Sequence, residues 1–246
     1  MENLLIISLL SFLLSFVFAL GGVGSAIALV PLLNWLGIPL NQAKATGLFI
    51  NTISMSGASV ANVRAGRLDL RLGAPVIVAS ILLAPLGAYL STLISTKLIM
   101  LVFTLFLVSA GLIMLFFHGT QQAEPEPGGA ALLLVAIGSL AGFLSGLLGV
   151  GGGAVISPLM VLMGYPPKKV TTITAFTVPF SSLAGFLAYW AMGRVEAALL
   201  LCGGLAAYAG GYLGTHFMQS RLRPAAVKRF LALLILLIAV RVAIRI

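Results

Sequence analysis

Two apolar stretches of this chain run for more than thirty residues, 4–36 and 130–164, and each carries a glycine cluster that no continuous helix favours. The first cluster is Gly22-Val23-Gly24-Ser25, trailed by Pro31, Gly37 and Pro39. The second, Gly149-Val150-Gly151-Gly152-Gly153, is trailed by Pro158, Gly164 and Pro166, so Gly22 and Gly149 stand 127 residues apart. At the same offset Gly66-Arg67-Leu68-Asp69 is echoed by Gly193-Arg194-Val195-Glu196. Freed backbone at membrane depth is tolerated only where protein or a wet cavity satisfies it. A matched pair of such interruptions is the arrangement a transporter uses to offer backbone to a solute.

The setting is a membrane. Hydrophobic residues make up 61% of the 246 and charged residues only 8%, too little charge to cover a soluble domain of this size. Further apolar runs cover 43–63, 72–93, 97–117, 170–190, 197–217 and 225–245. Each is near the ~20 residues that cross ~30 Å of hydrocarbon. The expected fold class is all-α, a polytopic helical membrane protein, because the alternation is never strict enough for a barrel. The net charge of +9 sits at segment ends, where it orients the chain and meets lipid headgroups, so the bilayer rather than nucleic acid is the expected partner. The single cysteine, Cys202, excludes an internal disulfide framework and an all-cysteine metal site, and is expected as buried packing. The first segment has only Glu2 where a signal peptide has basic residues and lacks a small-x-small cleavage site, so it is expected to be retained.

The polar, acidic, Pro- and Gly-rich stretch 119–129 divides a first transmembrane repeat, 1–118, from a second, 130–246. Each repeat has four segments, which gives about eight crossings. If all are simple, Lys44, Lys97, Lys168, Lys169, Arg221, Arg223, Lys228 and Arg229 share the cytoplasmic side, and Arg64, Arg67, Arg71, Arg194 and Arg245 lie opposite with all the acids. If instead the first segment of each repeat is a re-entrant hairpin, the halves are inverted and the Arg64–Arg71 loop becomes cytoplasmic. Both counts place both termini outside.

The glycine clusters come first among candidate site elements. Each precedes a new helical run, 26–36 or 154–163, whose unpaired N–H groups and positive dipole end favour an anion. Gly22, Gly24, Ser25, Gly151, Gly152 and Gly153 are the expected backbone ligands; close helix packing through small residues is the competing explanation. A polar stripe follows in each half: Thr46, Asn51, Thr52, Ser54 and Ser56, then Thr171, Thr174, Thr177, Ser181 and Ser182. Thr46, Asn51, Ser54, Thr174, Thr177 and Ser181 are the expected lining of a substrate path, against the alternative that the hydroxyls bond back to the preceding helical turn. With a one-residue insertion, Thr46 pairs with Thr174 and Asn51 stands opposite Pro179. Lys44, two residues before Thr46, has two readings, contact with an anion entering from inside and snorkelling to the headgroups, and the second is the favoured expectation. Arg67 with Asp69, and Arg194 with Glu196, are expected to form ion pairs.

Several classes drop out. The glycine runs follow no strand and have no acidic residue some twenty positions on, as a dinucleotide fold requires, and no Gly-Lys-Ser/Thr phosphate loop exists. Gly142-Phe143-Leu144-Ser145-Gly146 has the wrong spacing for a serine hydrolase with His216 as base. His, Cys and acidic residues are too few for a membrane metal centre, so no metal and no cofactor is expected. No acid lies mid-segment, which disfavours a proton pump. An anion leaving a cell that is negative inside gains about 2.3 kcal/mol per charge per 100 mV, so export needs no coupling ion.

The run Gly149-Val150-Gly151-Gly152-Gly153 with Pro158 and Thr174, and the weaker copy Gly21-Gly22-Val23-Gly24-Ser25 with Pro31 and Ala45-Thr46, resemble the signature of the sulfite exporter TauE/SafE permeases. Length, doubled four-segment layout and acidic linker resemble that family too, although Ser25 and Ala26 depart from the triple glycine of the second copy. The resemblance implies a multi-pass protein of a bacterial cytoplasmic membrane that moves sulfite, sulfonates or related organic anions. From the residues, the expectation is a secondary transporter, an exporter and not an enzyme, working by alternating access around a midplane site for a small anion. An anion channel and a non-transporting assembly or sensory subunit are the rivals. Whether the chain forms a homo-oligomer stays open.

Overall fold

The computed structural model describes residues 2–116, 127–193, 197–221 and 224–244. They form ten helices and, among the described residues, no strand. In chain order these are α1 (Glu2–Ala19), α2 (Ala26–Trp35), α3 (Leu40–Arg64), α4 (Leu70–Leu93) and α5 (Thr96–Phe116). Then come α6 (Pro127–Leu148), α7 (Gly153–Leu162), α8 (Pro167–Ala191), α9 (Ala197–Arg221) and α10 (Pro224–Ala243). Both thirty-residue apolar stretches are broken at their glycine clusters, and the new helices begin within one residue of the expected positions. α6 already starts at Pro127, so 127–129 of the expected connector belong to a helix; residues 117–126 lie outside the described residues.

The breaks follow from local chemistry. Gly22 has φ +65°, its N–H donates to Ala19 O and the next N–H, from Val23, to Phe18 O. That paired bonding closes the C-terminus of α1 in a left-handed turn that only glycine enters without steric penalty. Gly149, φ +76°, closes α6 with a bond to Ser145 O. Among the described residues the other left-handed glycines are Gly24 and Gly151, Gly37 and Gly164, Gly66 and Gly193, again pairs 127 residues apart. α3 and α8 both have 25 residues and begin directly after Pro39 and Pro166. The inserted residue that pairs Thr46 with Thr174 therefore has no place: on the helix bounds Lys44 corresponds to Thr171 and Asn51 to Val178.

Helix directions can be read from side-chain contacts. Leu48 lies against Gly185, Asn51 bonds Ser182 and the Phe49 ring packs at a tilt on Phe186, so α3 and α8 are antiparallel. Gly73 meets Thr177 and Ser91 meets Tyr189, so α4 runs parallel to α8. Gly138, Gly142 and Gly146 rest on the backbone of Val76, Ser80 and Ala84, so α6 is parallel to α4 as well. With α6 and α8 parallel, α7 between them must run the opposite way. The same holds for α2. Gly210 and Gly214 lie on Phe12 and Phe16, while Gly203, Gly57 and Arg64 meet Ile50, Tyr208 and Tyr212, making α1, α3 and α9 all parallel. α2 and α7, ten residues each, reach only ~15 Å, half a hydrocarbon core.

Four helices are long and apolar enough to span a membrane among the described residues: α4, α5, 131–148 of α6 and 168–191 of α8. Large apolar side chains such as Leu82, Leu105, Leu132 and Leu205 stand exposed on the outer surface, as expected of a lipid-facing rim. Cys202 is exposed beside Leu201 and Leu205, not buried as packing, because the opposite face of α9, with Gly203, Gly210 and Gly211, takes the helix contacts. The interior is assembled through small residues, which let backbones approach closely where lipid gives no hydrophobic drive. A side chain on Gly142 would fall on Ser80 O, with Ser80 Cα at 2.5 Å. Replacing Gly142 with Leu should destabilise the protein by about 2 kcal/mol or more in a denaturant titration in micelles. Leu205→Ala on the rim should leave the midpoint nearly unchanged.

Candidate functional site

The two breaks meet at the centre of the molecule, clasped between α3 and α8. A Cβ on Gly153 would collide with the carbonyl of Val23 and lie 2.8 Å from that of Gly22, so the backbones of the two interruptions are in contact. Gly22 lies on α8, where its Cβ would sit 2.9 Å from both Thr171 Cα and Thr174 Oγ1. Gly149 lies on α3, at 2.6 Å from Lys44 Cβ on the same construction. Each interruption therefore leans on the long helix of the opposite half of the chain.

Asn51, at the middle of α3, is the joint between them. The Ala26 N–H, opening α2, donates to Asn51 Oδ1 at 3.4 Å, and Asn51 Nδ2 donates to Ser182 Oγ at 2.9 Å. Both Gly24 and Gly151 face its amide so closely that a Cβ on either would overlap it. Their left-handed φ values, +90° and +72°, bring bare backbone to this one side chain.

The electrostatics are those of a donor-rich, buried junction. Among the described residues the amides of Gly24, Ser25, Val150, Gly151 and Gly152 have no protein acceptor. They cluster at the starts of α2 and α7, where the helix dipoles add positive potential. The capping positions Ser25 and Gly152 make no side-chain cap; Ser25 Oγ instead accepts from Ser15 Oγ at 3.2 Å. Among the described residues no carboxylate pairs with a group in the junction. Asp69, at the end of the α3–α4 connection, pairs with Lys169 of α8 at 3.5 Å rather than with Arg67. Arg194 and Glu196 lie outside the described residues.

The expected stripe residues divide by environment. Thr46 and Ser54 are fully buried and their hydroxyls have no partner, with Ser54 Oγ on the α9 side near Gly211. Thr174, Thr177 and Ser181 are equally buried, but their hydroxyls donate to Val170 O, Thr174 O and Val178 O, the back-bonding alternative. Thr174 Oγ1 also accepts from Ser157 Oγ and lies at Gly22, and Ser181 Oγ lies at Gly152. Thr177 turns its methyl to Gly73 of α4. Ser182, part of the stripe but not of the expected lining, is the residue Asn51 bonds.

Lys44 departs furthest from expectation. It does not snorkel: its side chain is 0% exposed, with Nζ 3.3 Å from Ser91 Oγ. Its stem is packed on Gly149 and its head is turned to Ser91 of α4, so it points into the bundle and not to its outer surface. Ser145 of the hydrolase-like run is buried with an unpartnered hydroxyl, while His216 is exposed, so these two do not form a nucleophile–base pair. No group of three or more His, Cys, Asp or Glu that could hold a metal occurs among the described residues.

Replacing Asn51 with Leu leaves the Ala26 amide and Ser182 buried without their shared partner. The expected loss is roughly 1–3 kcal/mol of unfolding free energy, read by denaturant titration, and Ser182→Ala should lose less.

The family described as Sulfite exporter TauE/SafE matches residues 7–242. A relative from Methanocaldococcus jannaschii, named "Probable membrane transporter protein MJ0441", is 25% identical over 203 residues, covering 76% of this chain and 74% of the relative. "Probable membrane transporter protein YunE" of Bacillus subtilis is 25% identical over 78% of this chain and 80% of its own length. The Arabidopsis thaliana "Sulfite exporter TauE/SafE family protein 1" is 37% identical over 84 residues, 32% of this chain and 19% of the plant protein. No solved structure matches. With a match running through nearly all of its helices, this chain belongs to the sulfite exporter TauE/SafE family of membrane transporters.

Proposed function

We propose that this protein is a secondary transporter, an exporter of small sulfur-containing or organic anions such as sulfite or sulfonates, working by alternating access around the junction of its two breaks. The observation that carries this reading is the meeting of two helix N-termini at Asn51, with amides from both unaccepted and, among the described residues, no carboxylate paired in the junction. Preorganised N–H donors in a buried setting are the usual means of replacing an oxyanion's hydration. The substrate class follows from the names of the relatives. A membrane potential negative inside supplies about 2.3 kcal/mol per charge per 100 mV for efflux.

Ser25, Thr46, Asn51, Thr174 and Ser181 are all fully buried, an occluded arrangement of the kind a carrier passes through and an open channel lacks. That favours alternating access over the channel reading. Two inverted repeats, 1–118 and 130–246, are the framework we propose for it. The antiparallel α3 and α8 and the return of α2 and α7 support inversion, with the breaks re-entrant. The Asp69–Lys169 ion pair supports it too, because it needs both loops on one face. On this arrangement the Arg64–Arg71 and Lys168–Lys169 segments face the cytoplasm and both termini lie outside a bacterial inner membrane.

Two experiments test this reading. Gly151→Val, at φ +72° and against Asn51, should reduce efflux from loaded proteoliposomes to background while the protein still inserts; wild-type flux would remove the junction from the mechanism. In a Cys202→Ser background, cysteines placed at the exposed positions Arg67 and Lys168 should react with an impermeant maleimide from the same side. Labelling from opposite sides would replace the inverted arrangement with eight simple crossings.

A further inference from the structure

We propose that Lys44 supplies the positive charge that holds the transported oxyanion, in a subsite against the second break and distinct from the amides at Asn51. This rests on the anion-transporter reading above and names the counter-charge that reading lacks.

The ammonium is set in a directed chain. Tyr189 OH donates to Gly146 O at 2.9 Å, which commits the phenolic proton. In the 2.6 Å contact between Ser91 Oγ and Tyr189 OH the serine is therefore the donor, leaving Ser91 lone pairs to accept from Lys44 Nζ at 3.3 Å. An ammonium has three N–H donors, and this chain uses one. No other acceptor for Lys44 and no ion pair with it is found among the described residues. Burying an ammonium without a counter-ion is strongly unfavourable, and intramembrane charges as a rule face a partner or a pathway. The Ser91 hydroxyl gives the charged form of Lys44 no balancing charge, whereas a small anion arriving from solution would supply one.

The position fits a solute site. The Lys44 stem is pressed on Gly149, and the next three residues, Val150 to Gly152, lead into α7 with their amides unaccepted. At the place 127 residues on, Thr171 lies on Gly22 at the same 2.9 Å approach to Cα, but it is neutral. Among the described residues the junction therefore carries one cation, on one side only. A solute with a single sulfonate or sulfite group, binding through one charged head, matches that asymmetry.

The test uses purified full-length protein in micelles, titrated calorimetrically with sulfoacetate, sulfite and sulfate. Lys44→Met should weaken the anion that wild type binds by about 30-fold or more, and Lys44→Arg should stay within about tenfold. Lys97→Gln, at an exposed lysine, should match wild type. The empty Lys44→Met protein should unfold at or above the wild-type temperature, because an unbalanced buried charge has been removed; a purely structural lysine gives a lower temperature with unchanged affinity. If the Met variant fails to insert, Lys44→Gln, of similar length and neutral, carries the same comparison. Wild-type affinity in the neutral variant overturns the Lys44 assignment and leaves the junction intact as a site. Absence of binding of all three anions to wild type overturns both.

Discussion

The contact between two stretches of bare backbone at Asn51 is the constraint on which the rest depends. Gly24 and Gly151 both reach this amide because neither carries a side chain, and each sits in a left-handed turn that reverses its chain. The reversal sends α2 and α7 back alongside α3 and α8, and their unaccepted amides converge where the long helices cross. A Cβ at either glycine would occupy the space of the asparagine amide. The polar centre and the turning of the chain are thus one feature.

Around that centre, cohesion comes from close approach. Gly138, Gly142 and Gly146 on α6 seat on α4, and Gly210 and Gly214 on α9 seat on α1. In lipid, apolar side chains gain nothing by leaving the solvent, so dispersion between tightly apposed backbones and a few buried polar bonds hold the bundle. Glycine consequently has two separate tasks here, turning the chain at the breaks and thinning the helices elsewhere.

The asymmetry of the junction matters as much as its near-symmetry. Lys44 on one side corresponds to Thr171 on the other, and Asn51 to Val178. One half contributes the charge and the amide joint, and the other contributes back-bonded hydroxyls. The Lys44–Ser91–Tyr189 chain links α3, α4 and α8 to the carbonyl end of α6, so a charge arriving at Lys44 is felt by elements of both halves. That is the kind of connection through which solute binding can bias one half against the other.

The sequence by itself determined where the chain turns. Gly22, Gly149 and the prolines at 39 and 166 fix helix ends through backbone sterics, which depend on neighbours in the chain and nothing else. Long apolar runs likewise made the membrane class legible, because hydrocarbon thickness sets their length. Which side chains meet was decided only in the tertiary structure. Asn51 and Ser182 are 131 residues apart, and Asp69 chose Lys169 over its neighbour Arg67. Lys44 was drawn inward and Cys202 turned out to the rim, since burial depends on which helices lie alongside, and helix packing is a property of the whole bundle that no local pattern encodes.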